Sequence, residues 1–138
     1  MDMLARREHS ERELSRKLAS RGYDEAVIGE TVEGLVADGL LSNDRFVESF
    51  VHSRYRRGQG PLKIRAELRE RGIDDAAIEH WLAAFADQWR ELAEQVRTKK
   101  FGATLPGDFR ERSRQMRFLQ QRGFDSEQIQ STFRDDDW

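Results

Sequence analysis

One eleven-residue pattern occurs three times in this chain and constrains its fold more than any other feature. The pattern is Leu, two variable residues, Arg, Gly, an apolar or aromatic residue, Asp, three variable residues and Ile, at residues 18–28, 68–78 and 119–129. Its glycines are Gly22, Gly72 and Gly123, so the spacing is nearly constant. Recurrence at a fixed period indicates a repeat protein, in which each repeat is one supersecondary unit. The chain is therefore predicted to contain three tandem copies of one unit.

Each copy of the pattern is typical of a helix, a glycine turn and a second helix. A glycine just past a helix end adopts the left-handed conformation without a Cβ clash, so Gly22, Gly72 and Gly123 are predicted structural turns with positive φ. The pattern's Leu and the residue after its Gly are placed for the apolar contact of a Schellman ending. The Asp is a favoured N-cap for the next helix.

A further helix is predicted before each helix pair. Apolar residues at helical spacing place it at about residues 43–57 in the second copy and 87–100 in the third, whereas only residues 3–7 remain of it in the first. Capping signals open the middle helices, at Ser10-x-x-Glu13, Gly60-Pro61 and Asp108-x-x-Glu111. Residues 101–107 form a longer loop, and no segment alternates long enough to predict a strand.

The predicted fold is therefore all-α. It comprises about nine helices in three tandem three-helix repeats, at residues 1–41 (with a truncated first helix), 42–86 and 87–138. Because such repeats stack on their neighbours, we expect an elongated, curved array. The sequence does not decide between a right-handed and a left-handed array.

Charge alternates along the repeats, although the net formal charge is only -2. Residues 22–41 carry five acidic side chains and no basic one, whereas residues 97–123 carry eight basic and two acidic ones. The first two helices of each repeat are mostly basic and the third is acidic. Stacking is expected to place these charges along different sides of the array.

A basic pair ends the first helix of each repeat. The pairs are Arg6-Arg7, Arg56-Arg57 and Lys99-Lys100. One interpretation is that they complement the negative end of a helix dipole or pair with a glutamate one turn away. The other is a ladder of cations that contacts an extended acidic partner, either a protein filament or a nucleic-acid backbone. The full set of candidate partner-binding residues is Arg6, Arg7, Arg54, Tyr55, Arg56, Arg57, Lys63, Arg65, Lys99 and Lys100.

The sequence gives little support for catalysis. It contains no cysteine, and His9, His52 and His80 lie in different repeats without a ligand-like companion. No phosphate-binding loop or nucleophile motif is present. We expect no enzyme activity, no cofactor and no metal. The short apolar runs predict a cytoplasmic protein without a membrane span, and no heptad run demands a dimer, so we expect a monomer.

Several passages resemble the RecX family. They are Leu-Ala-Arg-Arg-Glu-His-Ser at 4–10, Gly-Leu-Leu-Ser-Asn-Asp-Arg-Phe at 39–46, and Arg-Gly-x-Gly-Pro-x-Lys-Ile at 57–64. The third Arg-Gly-Phe block, at 122–124, completes the repeated helix pattern. One departure is Gln115, which stands where the earlier repeats have Leu14 and Ile64 and leaves the packing register of that helix open.

The resemblance implies a regulator of the RecA recombinase. RecX-like proteins lie in the groove of the RecA–single-stranded-DNA filament and oppose filament growth, ATP hydrolysis, strand exchange and the co-activity in repressor cleavage. Two other functions stay open at this stage. One is a helical-repeat module that binds DNA directly and weakly, and the other is a helical scaffold for a different protein partner.

Overall fold

The computed structural model describes residues 9–39 and 42–134, and these residues form helices without any strand. Eight helices follow one another in this part of the chain: α1 Glu11–Ser20, α2 Glu25–Ala37, α3 Asn43–Arg56, α4 Pro61–Glu70, α5 Asp75–Ala83, α6 Trp89–Phe101, α7 Phe109–Gln121 and α8 Ser126–Ser131. The all-α prediction is therefore confirmed. The predicted first helix, with Arg6 and Arg7, lies outside the described residues.

The three glycine turns have the predicted Schellman geometry. Gly22, Gly72 and Gly123 have φ of 90°, 79° and 97°. After each glycine, the next residue's N–H donates to the carbonyl of the pattern's Leu, over 3.3, 3.2 and 3.2 Å. The Asp that follows caps the next helix in all three copies. Since these bonds are local, the eleven-residue pattern suffices to form them.

The middle helices also begin where the capping signals predict. Ser10 and Glu13 form a reciprocal capping box at α1, Pro61 is the first residue of α4, and Asp108 accepts the Glu111 N–H over 2.7 Å at α7. The start of α6 is different, because it lies at Trp89 instead of residue 87. Residues 84–88 form turns that follow α5.

The apolar core is divided unequally among the repeats. Helices α3 to α8 share one continuous cluster of buried side chains, which includes the aromatic residues Phe46, Phe50, Phe85 and Trp89. The first repeat has a separate cluster of Leu14, Ile28, Val32 and Leu35, with Leu18 packed against it. Among the described residues, the second and third repeats thus form one packed unit, and the first has a separate, smaller cluster.

The second and third repeats meet where the third glycine turn packs against the start of α4. The Gly60 N–H donates to the Arg122 carbonyl over 2.7 Å, and the Leu62 N–H donates to the Gly123 carbonyl over 2.9 Å. A Cβ on Gly123 would lie only 2.4 Å from the Lys63 Cβ. Both amides lie at the start of a helix, where no carbonyl of that helix is available, so the next repeat supplies their acceptors.

The contact between the first and second repeats is polar. The Glu11 N–H donates to the Asn43 Oδ1 over 2.8 Å, and the Arg71 Nε lies 3.8 Å from the Glu13 Oε2. The Arg12 side chain covers Gly72, since a Cβ there would lie 2.6 Å from the Arg12 Nε. Among the described residues, this junction has neither the backbone-to-backbone hydrogen bonds nor the shared core of the next one.

Gln115 occupies the buried position that its alignment with Leu14 and Ile64 indicates, which settles the register of α7. Its side chain is 4% exposed and its Nε2 donates to the Glu111 Oε1 over 3.2 Å, while its own Oε1 has no partner among the described residues. Helix α7 is 13 residues long and α4 is 10, so α7 carries an extra turn at its start.

Candidate functional site

Two of the predicted basic pairs come together in one groove between the second and third repeats. The groove has a volume of about 420 Å³. Its lining, called the basic groove below, comprises Arg56, Arg57, Gly58, Leu92, Gln95, Val96, Lys99, Lys100, Phe118 and Arg122.

Three helix ends converge to form the basic groove. Helix α3 ends at Arg56, the last turn of α6 carries Lys99 and Lys100, and Arg122 is the C-cap of α7. Gly58 lets these ends approach, because its φ is 78° and a Cβ there would lie 2.8 Å from the Val96 side chain. The repeat pattern thus places cations from three helices around one concave surface.

The basic groove brings five cations together, and no described carboxylate compensates them. Within the described residues none of them forms an ion pair, and no carboxylate lines the groove. Six other arginines in the same part of the chain do have carboxylate partners: Arg54–Glu67, Arg65–Glu79, Arg69–Asp75, Arg71–Glu13, Arg90–Glu127 and Arg114–Glu111. The Arg122 Nε is buried and has no hydrogen-bond partner among the described residues.

The negative ends of the helices compensate only part of the positive charge of these five side chains. A helix C-terminus is equivalent to roughly -0.5 of an elementary charge, so three converging ends supply roughly -1.5. Five side-chain cations exceed that by roughly 3.5 positive charges on the same scale. The groove is therefore suited to bind an anionic partner.

Phe118 forms an apolar wall of the groove that two cations already cover. The Lys100 Nζ lies 5.4 Å from the centre of its ring, and the Arg122 Cζ lies 5.7 Å from it. Phe101 contacts the same ring edge-on, with 5.3 Å between ring centres. These contacts hold the two cations in place and leave little of the ring for stacking by a partner.

Four other predicted site residues, Arg54, Tyr55, Lys63 and Arg65, do not line the basic groove. Arg54 pairs with Glu67 over 3.1 Å, and Arg65 binds Glu79 through two hydrogen bonds. The Arg65 hydrogen bond lowers the pKa of the Glu79 carboxyl from its ordinary value. Lys63 is exposed, and its backbone lies at the Gly123 junction. The two arginines thus already have acidic partners within the second repeat.

Tyr55, the aromatic kept as a possible partner contact, packs against the core. Its ring stacks on Phe85 with 4.8 Å between centres and lies 5.4 Å from Trp89. Burial, and then the negative charge of Glu91, raise the pKa of the Tyr55 hydroxyl. Because its ring packs against core aromatics, we interpret Tyr55 as a residue that stabilises the second repeat.

Arg122 is the groove residue that sequence reasoning missed. A signal was present, since the repeated pattern carries an arginine before the glycine in every copy, at Arg21, Arg71 and Arg122. That arginine is absent from the candidate partner-binding residues. Its approach to the first-helix pairs depends on the stacking of two repeats, which a local pattern does not specify.

A smaller cavity of about 250 Å³ lies on the second repeat, and its charge is largely compensated. Arg57, which also lines the basic groove, lies along it with Arg54 and Arg71. The guanidinium groups of Arg54 and Arg71 lie over the Phe50 ring, at 4.4 and 4.8 Å. Both are also paired with glutamates, Glu67 and Glu13. It is therefore a weaker candidate for an anion site than the basic groove.

The histidines and carboxylates of the described residues do not gather into a metal site. Across residues 9–39 and 42–134, no three His, Cys, Asp or Glu side chains are grouped so as to hold a metal ion. His9 is buried, with its Nε2 2.9 Å from the Lys17 Nζ. In the same ranges, no helix combines the length and apolar character that crossing a membrane requires.

Three family models match nearly the whole chain. They describe the first, second and third three-helix domains of RecX, and they match residues 1–35, 42–82 and 86–133. The chain is 47% identical over 129 residues to the regulatory protein RecX of Halorhodospira halophila, covering 94% of this chain and 80% of the relative. It is 46% identical to RecX of Pseudomonas savastanoi pv. phaseolicola, covering 94% and 83%.

Solved structures share the fold at lower sequence identity. A crystal structure of regulatory protein RecX has a TM-score of 0.81 at 23% identity, covering 95% of this chain and 66% of that one. The crystal structure of RecX from Lactobacillus salivarius has a TM-score of 0.79 at 22% identity, covering 95% and 87%. The chain therefore belongs to the RecX family of regulatory proteins.

Proposed function

We propose that this chain binds the RecA–single-stranded-DNA filament and inhibits the recombinase, ATPase and co-protease activities of RecA. It does so in the cytoplasm, by occupying the filament groove or by opposing filament extension. The resemblance to RecX proteins supplies the partner. The observation that carries the proposal is the basic groove, where five cations have no acidic partner within the described residues.

The distribution of charge suits a filament better than DNA alone. Helix α2 carries Glu25, Glu30 and Glu33 and no basic residue, whereas the ends of α3, α6 and α7 are basic. A repetitive protein–DNA filament offers both signs of charge, and complementary charge favours specificity and fast association. The helix after each glycine turn is acidic, so it is poorly suited to enter the major groove as a recognition helix.

The proposal is tested by measuring the DNA-dependent ATP hydrolysis of RecA in low salt, with fewer copies of this chain than of RecA. The parent protein should slow hydrolysis. Replacing Arg56→Glu together with Arg57→Glu should weaken that inhibition, because it reverses two of the five groove cations.

A matched control is Arg16→Glu with Arg21→Glu. Both residues are exposed on the first repeat, and Arg21 is the C-cap of α1 as Arg57 is the C-cap of α3. The control therefore has the same charge change, and at Arg21 it has a similar loss of helix-dipole complementarity, about 0.3–1 kcal/mol. It should inhibit RecA nearly as well as the parent, with thermal melting measured for all three proteins. If the groove variant inhibits RecA as well as the parent does, the basic pairs only complement the negative ends of their helices, and the proposal is contradicted.

A further inference from the structure

We propose that copies of this chain associate head to tail, with the glycine turn of the first repeat of one copy packed against the start of α7 in the next. The proposal goes beyond the proposed function and requires neither RecA nor DNA. It rests on a contact that the chain already makes twice between its own repeats, and on two exposed surfaces that complement each other.

Both junctions between repeats use the same two parts. The turn glycine of the second repeat, Gly72, lies against the Arg12 side chain at the start of α1. The turn glycine of the third repeat, Gly123, lies against Lys63 at the start of α4. The turn of each repeat thus covers the start of the middle helix in the repeat before it. Repeats that stack through one recurring contact leave one half of that contact unused at each end of the array.

The turn of the first repeat is one of these unused halves. Among the described residues, nothing lies within 4 Å of a hypothetical Cβ on Gly22. Tyr23 is 53% exposed, whereas Ile73 and Phe124 at the same place are buried in their junctions. Val27, one turn further along α2, is also exposed. The two side chains form an apolar surface of the kind that a neighbouring repeat covers elsewhere in the chain.

The start of α7 is the other unused half. Phe109 is the first residue of this helix, and its side chain is 84% exposed. Leu105, in the loop that leads into the helix, is exposed as well. Large apolar side chains that gather at one exposed place indicate an interaction site. The extra turn of α7 carries Phe109, so a turn that packs on this end meets an aromatic ring.

Charge selects a second copy as the partner of each surface. Asp24 and Glu30 are exposed beside the apolar surface of the first repeat, and α2 carries no basic residue. Arg110 and Arg112 are exposed beside Phe109. None of these four charged side chains forms an ion pair within residues 9–39 and 42–134. An acidic rim around one apolar surface and a basic rim around the other favour the pairing of unlike ends and oppose the pairing of like ends.

Because the two surfaces differ, each copy in such a pair keeps one unused surface. Contacts of this kind build open chains instead of closed dimers. One contact between two repeats is small, so we expect monomers in dilute solution and chains as the concentration rises. If the proposed function holds, an extended filament keeps neighbouring copies at high effective concentration, and the same contact makes their binding cooperative.

Sedimentation velocity of the full chain at increasing concentration, in low salt and without RecA, tests the proposal. The average mass of the parent should rise with concentration and fall when added salt screens the charged rims. Phe109→Ser and Tyr23→Ser should each weaken association by about tenfold or more, because each removes an aromatic side chain from the contact. Val36→Ser is the matched control, since it removes another exposed apolar side chain of α2 and should associate as the parent does.

An equal mixture of the two serine variants then tests the geometry. Phe109→Ser keeps an intact turn and Tyr23→Ser keeps an intact start of α7, so the mixture should form pairs but no longer chains. Circular dichroism melting checks that each variant folds, and Val27→Ser replaces Tyr23→Ser if the latter does not.

Two results would overturn the proposal. One is a parent that stays monomeric over the whole concentration range, and the other is a mixture without pairs although the parent associates. Inhibition of RecA is measured separately. A monomeric parent that still inhibits RecA would leave the proposed function standing, so the failures of the two proposals are distinguishable.

Discussion

The three turn glycines have the same backbone conformation but different surroundings. Gly22 has a φ of 90° with no atom within 4 Å of a hypothetical Cβ, whereas Gly123 has a φ of 97° and packs against Lys63. The conformation is a local property, so the eleven-residue pattern predicts it. The packing of Gly123 depends on the second and third repeats being in contact, so the pattern alone does not reveal it.

This difference predicts unequal effects of alanine at the two glycines. Gly22→Ala should lower the free energy of unfolding by about 1–2 kcal/mol, the cost of a left-handed non-glycine residue. Gly123→Ala should cost clearly more, because the new Cβ must also displace the start of α4 and its hydrogen bonds from Leu62 and Gly60. Urea unfolding of both variants measures the difference. Equal losses would contradict the close packing at the junction.

Gln115 and Arg122 show what residue patterns leave undetermined. Alignment on the turn glycines places Gln115 opposite Leu14 and Ile64, but a polar residue there leaves burial and exposure both open. Its burial follows from the packing of α7, and its unpaired Oε1 is a local cost of that packing. Arg122 becomes part of the groove only through the neighbouring repeat.

At the scale of helices, the sequence predicts the start of a helix well where a capping residue marks it. It predicts the start of α6 less well, because packing against another helix determines it. The capping signal at Asp108-x-x-Glu111 predicts the start of α7, and that helix begins at Phe109 with Asp108 as its N-cap. Helix α6 begins at Trp89 without any side-chain cap, and the Trp89 Nε1 donates to the Leu82 carbonyl over 3.2 Å. Its start is thus associated with a contact to α5 that local sequence does not specify.

Ion pairs between helices are likewise not predicted by the sequence. Arg65 on α4 binds Glu79 on α5, and the donated hydrogen bonds lower the pKa of that carboxyl in the folded protein. The two residues are 14 positions apart in the sequence, so the i,i+3 and i,i+4 rules for pairs on one helix do not predict their contact. Arg65 was therefore included among candidate partner-binding residues, although it has an acidic partner within its own repeat.

The lowered pKa of Glu79 predicts a pH-dependent contribution to stability. The pair should stabilise the fold above the ordinary glutamate pKa of 4.5, and the contribution should disappear as the pH falls through the lower folded value. At neutral pH, Glu79→Gln should cost about 0.2–1 kcal/mol, because the pair is partly exposed. Urea unfolding at several pH values compares it with Glu94→Gln, an exposed residue without an ion pair in the described part of the chain. A cost that persists unchanged in acid would contradict the pair's contribution.

At the scale of the whole molecule, the repeats are similar in sequence but unequal in packing. Ile73 and Phe124 are 5% and 1% exposed, whereas Tyr23 at the same place in the first repeat is 53% exposed. The sequence predicts three related units, and family models confirm three RecX domains. The sequence does not reveal that, among the described residues, helices α3 to α8 share one core whereas α1 and α2 have a separate, smaller one.

The unequal cores predict that the first repeat opens more easily than the others. Native-state hydrogen exchange should show lower protection for amides in α1 and α2 than for those in α3 to α7, since small apolar contacts and a polar junction favour local opening. The change in protection should fall near the proposed boundary after residue 41. Uniform protection across all helices would contradict this division.

The central claim is that the RecA filament is the partner, and one comparison tests it most directly. The affinity of the chain for the RecA–single-stranded-DNA filament is measured beside its affinity for the same DNA without RecA, at one salt concentration near physiological. The account predicts clearly tighter binding to the filament, because the filament offers protein contacts that the DNA alone lacks. Naked DNA bound as tightly as the filament would contradict it and identify a DNA-binding module, and binding to neither would identify a scaffold for another protein.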